Sequence, residues 1–220
     1  MSNMKHSFSK KFKIGYFFGT FNPIHNGHLS IANYIVDNTD IDRVDFVISP
    51  NSPFKEHSDT LLDFPHRCNL IREAIKDNGR LNYNCIEYEL LHESQENRVY
   101  TCDTLNKLQE IEGKEYEIAL ILGEDNFANI ESFKNYYQIL RNFEIYVCPR
   151  TEKLVKLDYK VTDFSKYGKI KGVNFLNSMP INTVSSTFIR NEIKNRHFST
   201  ISSLLPKKVI NLIKYGKLYQ

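Results

Sequence analysis

Apolar residues recur along this chain in two rhythms. Short runs rich in Ile, Val, Phe and Tyr, at residues 13–18, 44–49, 84–89, 117–122, 144–148 and 173–176, have the make-up of β-strands. Between them, Leu29, Ala32, Ile35 and Val36, then Cys68, Ile71 and Ile75, then Leu105, Leu108 and Ile111, and then Ile139 with Leu140 recur at the spacing of a helix face. Strands alternating with helices predict βα units, hence an α/β fold with a mainly parallel sheet covered on both faces. The pattern changes near the end. Residues 185–194 and 206–214 read as two successive helices, opened by Ser-Ser and by Pro.

We therefore expect one integrated domain, with an α/β part over residues 1–184 and closing helices over 185–220. Residues 50–63 and 151–171 lack either rhythm and read as loops. The first follows a strand directly, so it belongs at the carboxyl edge of the sheet, where open α/β folds place ligands.

Composition narrows the class of partner. The longest apolar run, Ile118 to Leu122, is far short of the roughly 18 residues of a membrane span. The amino-terminal lysines precede only a short apolar run with a glycine inside it, so a secretory leader is not expected. Cys68, Cys85, Cys102 and Cys148 form no CxxC pair, which suits reduced thiols in a cytoplasmic protein better than disulfides or zinc. With 29 Lys and Arg against 26 Asp and Glu, and no basic stripe, nucleic acid is not an expected partner, whereas small acidic ligands are. A homo-oligomer is compatible with these features.

The chemistry concentrates at Gly19-Thr20-Phe21-Asn22-Pro23-Ile24-His25-Asn26-Gly27-His28-Leu29, which runs from the first strand into the first helix. Helix-start N–H groups are unpaired and carry partial positive charge, and the glycines at 19 and 27 let a ligand come close to the backbone. His25 and His28, three apart, can aim ring donors at one phosphate. A zinc site is a poorer reading of the pair, because no third ligand stands at a useful spacing. Ser185 and Ser186 can cap the helix that carries Arg190, bringing hydroxyls, N–H groups and a guanidinium onto a polyphosphate. Asp125 follows a buried strand and can accept ribose hydroxyls. Lys55 can reach a phosphate as a mobile charge.

The GTFNPIHNGHL stretch with its HxGH core, together with Ser185-Ser186-Thr187-Phe188-Ile189-Arg190, resembles the two signatures of the nucleotidyltransferase superfamily. Leu122-Gly123-Glu124-Asp125, Tyr100-Thr101-Cys102-Asp103-Thr104-Leu105 and the stretch from Leu205-Pro206 to Leu218-Tyr219 resemble segments of bacterial nicotinate-nucleotide adenylyltransferases. The resemblance spans nearly the whole chain. It implies a Rossmann-like, doubly wound sheet and adenylyl transfer from ATP to nicotinate mononucleotide, giving deamido-NAD and pyrophosphate, with Mg²⁺ accompanying ATP.

By position, the resemblance puts Gly19, Thr20, Phe21, His25, His28, Asp125, Ser185, Ser186, Thr187 and Arg190 at ATP, with His25, His28 and Arg190 catalytic. Lys55, Thr101, Thr104 and Phe133 fall at the mononucleotide. No protein ligand of the metal is assigned. Three departures stand out. Phe133 replaces a stacking tryptophan, Ser52-Pro53-Phe54-Lys55 keeps only the lysine of a Pro-Pro-His-Lys loop, and Asn22 replaces an aspartate. Rival acceptors are nicotinamide mononucleotide, phosphopantetheine or a small phosphate taking a cytidylyl group. A nucleotide-binding sensor without activity is the non-enzymatic rival.

Overall fold

The computed structural model describes residues 10–50, 60–96, 98–149, 168–181 and 183–220. Six parallel strands form one sheet: β1 (Phe12–Gly19), β2 (Arg43–Ile48), β3 (Leu81–Asn84), β4 (Tyr116–Gly123), β5 (Glu144–Cys148) and β6 (Gly172–Phe175), in the order β3-β2-β1-β4-β5-β6. The order reverses between β1 and β4. In doubly wound sheets the crevice at the carboxyl ends of such a pair is the ligand site. The expected α/β, Rossmann-like class is met.

Helices cover both faces. One apolar cluster joins α1 (Asn26–Asn38) and α2 (Phe64–Ile75) to α7 (Ser186–Lys194), α8 (Phe198–Ile201) and α9 (Lys207–Tyr215) through Ile24, Ile35, Ile71, Ile189, Val209 and Ile213. The other packs α4 (Thr101–Glu112) and α6 (Tyr136–Asn142) on the opposite face through Leu105, Leu108, Ile139 and Leu140. Strand β1 feeds both clusters, with Ile14 and Tyr16 on one side and Phe17 on the other, as a strand buried on both faces must. The closing helices thus share a core with α1 and α2.

One expected element is corrected. The strand expected at 84–89 lies earlier, in β3, and residues Ile86–Glu93 form a helix, α3. The Asn84 side chain accepts a hydrogen bond from the Ile86 N–H at 2.8 Å, which closes the strand and opens the helix. Ile86 and Leu90, four apart, both face the second cluster, so the stretch that alternates like a strand is also helical in period. Two short helices, α5 (Glu124–Ala128) and α8, were too brief to show periodicity. The four cysteines are free; Cys102 and Cys148 are buried, while Cys68 and Cys85 are half-buried with sulfurs 3.6 Å apart. Among the described residues no helix is long and apolar enough to cross a membrane.

Candidate active site

The segment between β1 and α1 turns through Phe21, whose φ of 45° is left-handed, and a cis Asn22–Pro23 bond. Gly19 suits this spot because a Cβ would press on the Phe21 ring at 3.0–3.3 Å. Phe21 as a whole is only 2% exposed and belongs to the first apolar cluster. Its ring stands edge-on to His28 with centroids 5.0 Å apart and holds that imidazole in place.

His25 is the N-cap of α1 and His28 its third residue. Each ring's Nδ1 accepts from the other's backbone N–H, at 3.4 and 3.3 Å, and the rings stack with centroids 3.6 Å apart. Such a reciprocal box satisfies two helix-start donors. It also fixes the tautomer: a nitrogen that accepts carries no proton, so Nε2 of each neutral ring bears the hydrogen and is the atom through which it can donate. Capping and phosphate binding are therefore compatible in the same two residues.

Although some 160 residues separate them in sequence, the two signature segments are bonded to each other. Ser186 Oγ donates to the Pro23 carbonyl at 3.1 Å, and Arg190 Nη1 donates to the Asn22 carbonyl at 2.8 Å. Asn26 adds two bonds to the turn before α9, from Nδ2 to the Ser203 carbonyl and from its N–H to the Leu204 carbonyl, both 2.8 Å. Ser185 caps α7 by accepting from the Phe188 N–H, and Thr187 Oγ1 accepts from Arg190 Nη2 at 3.2 Å. Burial pulls the Arg190 guanidinium below its ordinary value, although it stays cationic. Gly19, Thr20, Phe21, His25, His28, Ser185, Ser186, Thr187 and Arg190 thus gather around one end of β1.

The remaining candidates lie on neighbouring elements. Asp125 is exposed in the first turn of α5, directly beyond the carboxyl end of β4, where its charge suits the helix dipole. Thr101 is half-buried and opens α4. Thr104 is fully buried, its N–H donating to the Tyr100 carbonyl and its hydroxyl within reach of both Glu87 Oε1, at 3.2 Å, and that carbonyl. Phe133 follows a short 3-10 turn, Ile130–Ser132, and packs against the second cluster. Its neighbour Lys134 lies over the Tyr100 ring at 4.1 Å and pairs with Asp103 at 3.6 Å, which draws this turn to the start of α4. Lys55 lies outside the described residues.

Two residues at this edge, Arg67 and Glu87, were not anticipated, and a third, Asn22, was noted only as a departure from the family pattern. Arg67, 1% exposed, donates to four carbonyls: Thr20, Ser49, Pro50 and Leu62, at 2.7–2.9 Å. It clamps the turns after β1 and β2 to the entry of α2. The available signal was its place on the apolar stripe of α2, in step with Leu70 and Ile71. Asn22 accepts from the Leu62 N–H and donates through Nδ2 to the Thr60 carbonyl, a donation that the aspartate it replaces could not make. Glu87, deeply buried, receives the hydroxyls of Ser49 and Thr104; burial raises its pKa and those bonds oppose the rise.

An α/β sheet whose switch point carries an HxGH helix start beside a Ser-Ser-Thr-x-Ile-Arg helix has the make-up of a nucleotidyltransferase. A sequence model described as cytidylyltransferase-like matches residues 16–192, and the chain belongs to that family. More specific relatives carry the name "Probable nicotinate-nucleotide adenylyltransferase". The protein from Flavobacterium psychrophilum is 42% identical over 94% of this chain and 99% of its own length, and that from Fusobacterium nucleatum is 33% identical over 92% and 97%. The nicotinic acid mononucleotide adenylyltransferase of Plasmodium falciparum, solved with NaAD, shares the fold with a TM-score of 0.71. It is 20% identical over 94% of this chain and 97% of its own.

Proposed function

We propose that the protein transfers the adenylyl group of ATP to nicotinate mononucleotide, releasing pyrophosphate and forming deamido-NAD for NAD biosynthesis. The observation that carries the reading is the bonding of Ser186 and Arg190 to the Asn22–Pro23 turn, which leads directly into the His25–His28 helix start at the switch point of the sheet. Chain segments that bind the two ends of a triphosphate are thereby held at one place. Residues 1–184 and 185–220 act in this reading as one unit, the closing helices completing the ATP site.

The mononucleotide phosphate oxygen attacks the α-phosphorus of ATP in line, and pyrophosphate leaves. A phosphate monoester is largely ionised near neutrality, so no strong base and no covalent enzyme intermediate are needed. The rate comes from positioning and from stabilising charge as it develops. His25 and His28 donate through Nε2 to phosphate oxygens. Backbone N–H groups of 19–21 and Arg190 take the rest of the negative charge, and Ser185, Ser186 and Thr187 hold the leaving end. Asp125 accepts the ribose hydroxyls. The start of α4, at Thr101, faces the pyridine carboxylate, with Thr104 bracing that turn from beneath, Phe133 available for stacking and Lys55 serving the acceptor phosphate.

Mg²⁺, when bound, offsets charge on the ATP phosphates. Among the described residues no three His, Cys, Asp or Glu side chains converge on one point.

Purified protein supplied with ATP, Mg²⁺ and either mononucleotide tests the reading through pyrophosphate release. The acid is the expected acceptor. Release with neither removes the enzymatic reading, and preference for the amide overturns the nicotinate assignment. His28→Ala is expected to lower kcat about 100-fold, the size of one lost donor to developing charge; near-normal turnover would take His28 off the catalytic list.

A further inference from the structure

Beyond α9 the chain makes a tight return onto the core. The Leu218 N–H donates to the Ile213 carbonyl at 3.0 Å and the Lys217 N–H to the Lys214 carbonyl at 3.3 Å, the paired bonds of a Schellman ending. The left-handed φ of Lys217, 50°, belongs to that motif. Tyr219 is left-handed too, with φ of 62°, and the motif does not account for it. Its ring packs against the cluster beneath α1, α2 and α7. Its hydroxyl is the one buried side-chain polar atom among the described residues that has no hydrogen-bond partner.

A buried, unsatisfied hydroxyl on a strained residue is a cost to the folded state, and such costs cluster where function needs them. The surroundings indicate the missing partner. Burial keeps the phenol protonated, while the charges of Arg67 and Arg190 both act on it. Arg67 is committed, with four bonds to carbonyls on three segments. Arg190 is not: one bond goes to the Asn22 carbonyl and one to Thr187, two of the five N–H donors a guanidinium has. An unsatisfied hydroxyl and a half-used donor therefore lie close enough to feel each other's charge.

We propose that Tyr219 is a positioning residue for Arg190: when ATP occupies the site, its hydroxyl accepts a hydrogen bond from the Arg190 guanidinium and holds that cation on the polyphosphate. The inference rests on the function proposed above. It makes a prediction that a structural hydroxyl does not. Tyr219→Phe keeps the ring and removes only an unsatisfied group, so the free protein keeps its Tm or gains. ATP binding should nevertheless weaken about tenfold, the scale of one charge-assisted hydrogen bond.

The test compares wild type, Tyr219→Phe, Arg190→Lys and the double variant for Tm without ligand, for ATP affinity by calorimetry in Mg²⁺ without acceptor, and for steady-state kinetics. The expected result is an unchanged or raised Tm, a weaker ATP affinity, a higher KM for ATP with the KM for mononucleotide unmoved, and no further loss when the change is added to Arg190→Lys. A lowered Tm with unchanged ATP affinity makes the hydroxyl structural and overturns the inference, as does a full additional loss in the Arg190→Lys background. Wild type that binds no ATP overturns the functional reading, and this inference with it. Wild type that binds ATP as tightly as Tyr219→Phe does overturns the inference alone.

Discussion

Two buried cations stand at opposite ends of the same sheet. Lys13, 7% exposed at the amino end of β1, is met by carboxylates: Asp40 at 2.5 Å, Glu144 at 2.7 Å and Glu117 at 3.8 Å. Arg67, 1% exposed at the carboxyl end, gives its hydrogen bonds to backbone carbonyls and lies over the Phe64 ring at 5.3 Å. Lys13 loses charge stability to burial, but the bonds and charges of Asp40 and Glu144 outweigh that loss and its pKa stays raised. For Arg67 burial wins: the opposing influence of Tyr219, Cys68 and Asp63 is too weak to offset it, and its pKa is lowered. The difference follows from use. At the amino end the charge is neutralised and ties loops together. At the carboxyl end dipoles satisfy the guanidinium's hydrogen bonds without cancelling its charge, so positive potential remains at that edge, where the proposed site lies.

The contrast can be broken in several ways. Arg67→Met should do the most damage, leaving four carbonyls without their donor and costing about 3 kcal/mol or more, roughly 6–12 °C in Tm for a chain of this size. Activity should fall with it, because the turns carrying Thr20 and Ser49 lose their common tether. A variant that keeps both its melting temperature and its kcat/KM would reduce Arg67 to a bystander. Lys13→Met should cost less, about 1–2 kcal/mol, because Asp40 and Glu117 are half exposed and can rehydrate. Its kcat/KM should stay within about twofold; a loss beyond tenfold would mean that the two ends are coupled.

Titration separates the two cations further. The Asp40 pKa is lowered from 3.8: burial raises it, but the bonds from Lys13 and Tyr146 win. Its contribution is therefore present above that value and lost as pH falls through the folded pKa. The Lys13 pKa is raised from 10.5, so its contribution is fully present below that value and lost as pH climbs through the folded pKa. The stability gap between wild type and Lys13→Met should be flat near neutrality and shrink at both extremes. The gap for Arg67→Met should show no such profile, because carbonyls do not titrate and the guanidinium remains charged. Denaturant unfolding across pH measures both. The smallest effect is expected at Lys217, where glycine would relieve the left-handed φ of 50° and add up to about 1 kcal/mol.

Much of this was legible in the residues. The alternation of strand and helix rhythms gave the α/β class, and HxGH with Ser-Ser-Thr-Phe-Ile-Arg pointed to the phosphate site, because caps, glycine turns and periodicity act over a few residues. Ile86 to Glu93 misled, since Ile86, Tyr88 and Leu90 alternate like a strand while Ile86 and Leu90 also share a helix face; only the cluster beneath them decides. Nothing in the residues alone singled out Arg67, and Tyr219 stood out only as the end of a stretch that resembles the family.

By itself, then, the sequence determined which segments could bind phosphate and which faces had to be buried, for these follow from local geometry and solvation. The tertiary structure alone decided what each buried charge meets. Asp40, Glu117 and Glu144 around Lys13, four carbonyls around Arg67, and nothing bonded to the Tyr219 hydroxyl are all set by groups distant in sequence. Electrostatics in a dry interior depends on those neighbours in space, and no run of adjacent residues records them.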